Sequence, residues 1–243
     1  MFKALSLRSL FMATLTALGM MNVQAAPLLL EDWAADGPTT TVRFANLAPR
    51  VSGHFFAGGL LTSVPGSDDP LLQSFVSWCI DIFQPAHLGS TVGDYNRLAA
   101  VDYSAMSPER GRQLGNLAAL AHEQALTDSV FSGAFQLAVW EIVNESGTTL
   151  DLSVGTFRAW GASDTSIQLA QQWLTALPQQ QNRFGFEVFA SASSQDMIRF
   201  YELPRSAAST AGASVPEPGA LALALVAGAA LVAVRRRRTS MSA

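Results

Sequence analysis

The chain has 243 residues and a formal net charge of −4, with 49% of its residues hydrophobic. Between Ala26 and Glu217 the balance is far more acidic, with 19 Asp and Glu side chains against nine arginines, a formal charge of −10. A body this acidic excludes nucleic acid and anionic lipid as its partners, because phosphate groups bind basic surfaces.

Residues 1–25 read as a secretory signal peptide. Lys3 and Arg8 supply the charged region, Leu10 to Met21 is largely apolar, and Val23-Gln24-Ala25 offers small residues for cleavage, so that the mature chain begins at Ala26. Residues 26–206 fit one globular domain, long enough for a real core. Strands are expected over 40–48 and 53–63, the second with a bulge or bend at Gly58-Gly59. A Pro, Gly and Asp-rich loop follows from Ser63 to Pro70. Gln73 to Phe83 carries the strongest strand pattern. On that strand Ser77, Cys79 and Asp81 share one face, and Trp78 and Ile80 the other.

Pro85 to Tyr103 shows no periodic pattern. Ser107-Pro108-Glu109 is a helix start, with serine as cap and proline in the first turn, and the helix runs to about Leu126. A second helix is expected over Gly133 to Glu145. A connection follows over Thr148 to Gly161. A third helix is capped by Ser163 or Asp164 and ends near Leu177-Pro178. Phe184 to Ala190 and Met197 to Leu203 return to strand patterning. Strands, then helices, then strands imply an α+β fold: a β-sandwich or barrel-like sheet with a helical insertion.

The tail contains three devices in order. Residues 207–218 are a small-residue linker ending in Pro216-Glu217-Pro218, which resists helix formation. Residues 219–234 are an apolar run, about 24 Å of helix at 1.5 Å per residue, against the roughly 20 residues a spanning helix uses. Residues 235–243 begin with Arg235, Arg236, Arg237 and Arg238, which hold a membrane segment's end on the cytoplasmic side. This order resembles the PEP-CTERM sorting signal of Gram-negative bacteria. The resemblance implies a transient inner-membrane anchor, an exosortase-type enzyme as processing partner, and delivery to the cell surface or the extracellular matrix. The competing reading is an ordinary C-terminal anchor.

Chemistry centres on Cys79, the sole cysteine. A lone cysteine in an exported chain forms no internal disulfide and points to an intermolecular bridge or a reactive sulfur. The body also lacks lysine, whose amine attacks acyl groups; Lys3 is the only lysine of the chain. A GC-rich coding bias, which writes arginine in place of lysine, is the simpler explanation of that absence. Cys79 lies in Ser77-Trp78-Cys79-Ile80-Asp81, and Gln136 in Ala134-Phe135-Gln136-Leu137-Ala138-Val139-Trp140.

These segments resemble the Cys–Gln thioester domains of bacterial surface adhesins, which carry an aromatic–Cys–aliphatic–Asp segment and a later Gln-x-Ala-aliphatic-Trp segment. Gln136, Ala138, Val139 and Trp140 match. Phe135 departs, standing where the adhesins usually have threonine. The resemblance implies that the Cys79 thiolate attacks the Gln136 side-chain carbonyl, expels ammonia and leaves an internal thioester. A partner amine or hydroxyl, on an extracellular polysaccharide or another surface, then takes the acyl group. Trp78, Phe135, Ala138 and Trp140 would support the site, Trp140 covering Gln136 from one helical turn on. Asp81, sharing a strand face with Cys79, would orient the amide or shuttle a proton. The chain is then no enzyme beyond this self-catalysed step. The competing reading is a non-covalent structural protein of an exopolysaccharide or biofilm matrix, with Cys79 packed and inert and Gln136 hydrogen-bonded within the core.

No cofactor or metal is expected. His122-Glu123 begins a zinc-protease pattern, but Leu126 stands where the second histidine belongs, so His122 reads as an exposed or capping residue. Asp68-Asp69 reads as a solvated turn, and the five tryptophans as core anchors rather than a sugar site.

Overall fold

The computed structural model describes residues 25–36, 42–47, 50–161, 164–180 and 183–204. The expected leader, the expected sorting motif Pro216, Glu217 and Pro218, the apolar run and Arg235 to Arg238 lie outside the described residues. In chain order the strands are β1 (Ala25–Trp33), β2 (Val42–Leu47), β3 (Arg50–Phe55), β4 (Leu60–Ser63), β5 (Phe75–Cys79) and β6 (Ser90–Ala99). Then come β7 (Phe157–Gly161), β8 (Phe184–Ala190) and β9 (Met197–Glu202). The helices are α1 (Pro70–Gln73), α2 (Pro108–Ala125), α3 (Ser129–Asn144) and α4 (Asp164–Ala176).

Six strands close into an antiparallel barrel in the order β1-β4-β5-β9-β8-β6. β2, flanked by β3 and β7, forms a separate three-stranded sheet. The long strand β1 reaches both of its neighbours because its register shifts twice, between Ala26 and Leu28 and between Leu30 and Asp32. Such shifts bend a strand, which is what closure into a barrel needs. Of the two arrangements expected, the barrel is the one formed. The helical insertion lies between β6 and β8 and includes β7.

α3 is the hub. Every residue from Ser132 to Val143 is buried. A helix apolar on all sides has no solvent face, and α3 packs against α2, α4, β5 and β7. It begins at Ser129, four residues before the expected Gly133, because Asp128 caps it: one carboxylate oxygen accepts from the N–H groups of Val130 (2.8 Å) and Phe131 (3.0 Å). α2 begins as its sequence implies, with the Ser107 hydroxyl accepting from Arg110 N–H and Pro108 in the first turn.

Several elements differ from the sequence expectation. The run 53–63 is not one bulged strand; β3 and β4 belong to different sheets, and the chain bends between them at Gly58-Gly59. The strand expected over Gln73–Phe83 is only β5. Asp69 caps the short helix α1 before it, accepting from Leu71 N–H, so Asp69 is a cap rather than merely a solvated turn. β6 lies in the stretch without periodicity. Its only buried side chain is Tyr95, so the two barrel neighbours, not an apolar face, hold it. β7 falls in an expected connection and adds a third strand to its sheet.

Candidate functional site

Cys79 ends β5, next to β9, where it is paired with Met197. On its other side β4 pairs with β5 only as far as Leu60 opposite Ser77. Backbone groups of successive strand residues point to alternate sides. Ile80 donates to Asp196 on the β9 side (2.9 Å), so Cys79 presents its N–H and C=O on the side that β4 has left. Gln136 fills that place. Cys79 N–H donates to Gln136 Oε1 (3.0 Å), and Gln136 Nε2 donates to Cys79 O (2.7 Å). One side-chain amide thus stands in for a missing strand residue. It sits fully buried, where an unpaired polar group would be costly.

The vacancy beside Cys79 has its own cause. At Gly59 a Cβ would lie 2.8 Å from Val76 Cγ1 and 2.9 Å from the Trp78 ring, so only glycine lets the chain pass there. Gly59 N–H turns to α3 and donates to Ser132 Oγ (2.9 Å). Ser132, Gln136 and Trp140 lie at i, i+4 and i+8 along one stripe of α3. The first holds the departing end of β4, the second holds Cys79, and the third lines a cleft together with Cys79.

That cleft has a volume of about 380 Å³, and Trp33, Phe55, Phe56 and Gln84 also line it. It opens beside Cys79, which is itself buried and is a free thiol. Burial, with a smaller contribution from the Asp81 charge, pushes the thiol pKa up to about 12. The sulfur is therefore protonated at neutral pH.

The remaining sequence candidates take distinct places. Trp78 and Phe135 are core residues, their ring centroids 4.5 Å apart. Phe135 also meets Phe200 edge-on at 5.5 Å, so the position that departs from the adhesin pattern fills the core with a ring. Ala138 is buried within α3. Asp81 lies two residues beyond the end of β5. Its carboxylate accepts from Phe83 N–H (2.7 Å), closing a turn. Its pKa is raised, chiefly by burial and secondarily by the charge of Asp196. His122 is neither exposed nor a cap. It packs among Trp78, Phe135, Phe184 and Phe200, and burial lowers its pKa to about 4. Among the described residues no group of three or more His, Cys, Asp or Glu can hold a metal.

Sequence reasoning missed the parts that place Cys79. The 191–196 loop fastens the segment after β5: Gln195 Nε2 donates to Asp81 O, Gln195 N–H donates to Pro85 O (3.1 Å), and Tyr95 Oη donates to Gln195 O (2.8 Å). Asp196 accepts from Ser191 N–H (2.8 Å) and Tyr103 Oη (2.7 Å). Ser132 was equally invisible, and although Gly58-Gly59 announced a bend, neither residue carries a sign of the hydrogen bond between Gly59 and Ser132. Trp78, Trp140 and Trp173 are buried core anchors as expected, Trp140 also lining the cleft with the half-buried Trp33, whereas Trp160 is exposed.

Comparison with protein families returns no matching family model, and no curated protein matches the chain. Among solved structures, the chain is similar to a cysteine-to-alanine variant of the N-terminal thioester domain of a surface protein from Clostridium perfringens, with 13% identity and a TM-score of 0.42. The match covers 67% of this chain and 99% of that one. Among the described residues no helix is long and apolar enough to cross a membrane.

Proposed function

We propose that this is an exported, surface-sorted binding protein that attaches covalently through an internal thioester between Cys79 and Gln136. The observation that carries the reading is the reciprocal pairing of the Gln136 amide with the Cys79 backbone. It holds the carbonyl to be attacked beside the residue that attacks it. Cys79 N–H already donates to Gln136 Oε1, the oxygen that becomes an oxyanion when sulfur adds to Cδ, so the donor is in place before reaction. Sulfur adds to Cδ, the thiol proton passes to Nε2, the Cδ–Nε2 bond breaks, and ammonia leaves. With the thiol pKa near 12, thiolate is roughly one part in 10⁵ at pH 7, which slows the step. Each molecule needs it only once, and the burial that slows it also keeps water from the product. A partner nucleophile then enters by the cleft, takes the acyl group of Gln136 and returns the Cys79 thiol.

Export rests on the leader over residues 1–25. Surface delivery rests on the Pro216-Glu217-Pro218 segment with its apolar run and arginines, and an exosortase-type enzyme is the processing partner this reading requires. A second reading has its own support. Gln136 makes a hydrogen bond through both its amide oxygen and its amide nitrogen, and the thiol is held protonated, which also suits an inert Cys79 in a non-covalent matrix protein.

Intact mass of the purified domain separates the two. A deficit of roughly 17 Da, one ammonia, erased by methylamine and missing in Cys79→Ala, supports the covalent binder. A mass equal to the sequence, with an alkylatable or buried thiol, defeats it and leaves the matrix reading.

A further inference from the structure

The cleft that reaches Cys79 has a composition that selects among nucleophiles. Trp33, Phe55, Phe56 and Trp140 supply aromatic surface, and Trp33 and Phe56 meet edge-on with ring centroids 6.0 Å apart. Phe56 is 57% exposed, at the level of solvent. Among the described residues lining the cleft there is no Asp, Glu, Lys, Arg or His. Its polar equipment is amide, and Gln84 Oε1 is buried there without a hydrogen-bond partner. An orphaned acceptor of this kind calls for a donor from outside.

Asp81, the carboxylate nearest to Cys79 in sequence, is turned to Phe83 N–H and is absent from the lining. A lysine ammonium would therefore lose its water and meet no counter-charge. Its free amine form is about one part in 2,500 at pH 7. A sugar hydroxyl meets neither obstacle. It is neutral, it donates to Gln84 Oε1, and the ring's C–H faces stack on aromatic side chains. The acidic surface of the domain attracts cations from a distance, but attack on the acyl group takes place inside this uncharged cleft.

We propose that the acyl acceptor is a hydroxyl of a neutral polysaccharide, bound in the aromatic cleft before reaction; this rests on the thioester reading above. The step balances as an ester exchange. The hydroxyl oxygen bonds to Cδ of residue 136, the Cδ–Sγ bond breaks, and the hydroxyl proton passes to Sγ. The products are a glutamyl ester of the sugar and the free thiol of Cys79.

Two arms test it. In the first, Cys79→Ala, which cannot form the thioester, is titrated with neutral gluco- and galacto-oligosaccharides and with Nα-acetyl-lysine, following tryptophan fluorescence. Saturable binding of a neutral oligosaccharide, weakened about tenfold by Trp33→Ala and by the fold-safe surface change Phe56→Ala, is expected. Absence of any oligosaccharide binding, or binding of acetyl-lysine alone, overturns the proposal. In the second arm, wild-type protein is given equimolar oligosaccharide and acetyl-lysine at pH 7 and its adducts are weighed. A sugar adduct cleaved by hydroxylamine should predominate. Gln84→Glu, which sets a carboxylate in the cleft, should move the product ratio toward lysine at least tenfold. A predominant lysine adduct on wild-type protein overturns the proposal while leaving the thioester intact. A wild-type mass without the ammonia deficit removes the thioester and the ester step together, and the first arm then still reports whether the cleft binds sugar.

Discussion

The pairing of Gln136 with the backbone of Cys79 predicts an unusual pH dependence for one isosteric change. In a Cys79→Ala background, where no thioester can form but the backbone N–H and C=O remain, Gln136→Glu keeps the shape of the side chain. Its carboxyl reproduces both hydrogen bonds only when protonated, accepting from residue 79 N–H and donating to residue 79 O. Ionised, it would face a carbonyl oxygen at the 2.7 Å now spanned by Nε2, in a site that is fully buried. The glutamate titrates near 4.3 unfolded, and full burial lifts such a group by 3–5 units. The folded state then binds the extra proton, so stability is complete below pH 4.3 and is lost as pH rises toward the folded pKa. At about 1.4 kcal/mol per unit, the double variant should lose roughly 3–4 kcal/mol at pH 7 relative to Cys79→Ala, and about 2.6 kcal/mol of that between pH 5 and pH 7. Urea unfolding followed by tryptophan fluorescence at the two pH values measures this difference. A change below about 0.5 kcal/mol between pH 5 and 7 would show that residue 136 is not held dry against the residue 79 backbone.

Other consequences concern the supports of the site. Gly59→Ala should cost about 1–3 kcal/mol, because the new methyl lands on the fully buried Trp78 ring, and thermal unfolding will register it. Ser132→Ala orphans Gly59 N–H and should cost about 1–3 kcal/mol in the same assay, with less ammonia-deficient product as the end of β4 loosens. Glu141 in α3 accepts from Asp151 N–H (2.7 Å), and burial pushes its pKa up to about 8. Its raised pKa makes stability fall as pH rises from about 4.5 to 8, and Glu141→Gln should flatten the midpoint-against-pH curve over that window. His122 acts in the opposite sense. With its pKa lowered to about 4, stability is lost as pH falls below 6.5, and His122→Phe should reduce that acid sensitivity.

What the sequence determined was local. Caps and breakers act within a few residues, so Ser107-Pro108 opens α2 and the apolar run after Asp128 becomes a helix with no solvent face. The α+β class follows from the order of such segments, and the expectation of a leader and a sorting tail rests on the sequence alone. The same chemistry singled out Cys79 and Gln136 as residue types, through a resemblance in two short segments. What only the tertiary structure decided was where their groups meet. A polar strand such as β6 has no apolar face to announce it and exists because β1 and β8 lie on either side. The partner of Gln136 is a stretch of backbone, freed because β4 begins only at Leu60 and Gly59 just before it is held by Ser132 instead. Every residue has an N–H and a C=O, so nothing in the letters marks Cys79 as the one whose pair is left open. The uncharged aromatic cleft is likewise assembled from β1, the segment after β3, the 82–88 stretch and α3. These lie far apart in the chain and become one surface only when the barrel closes.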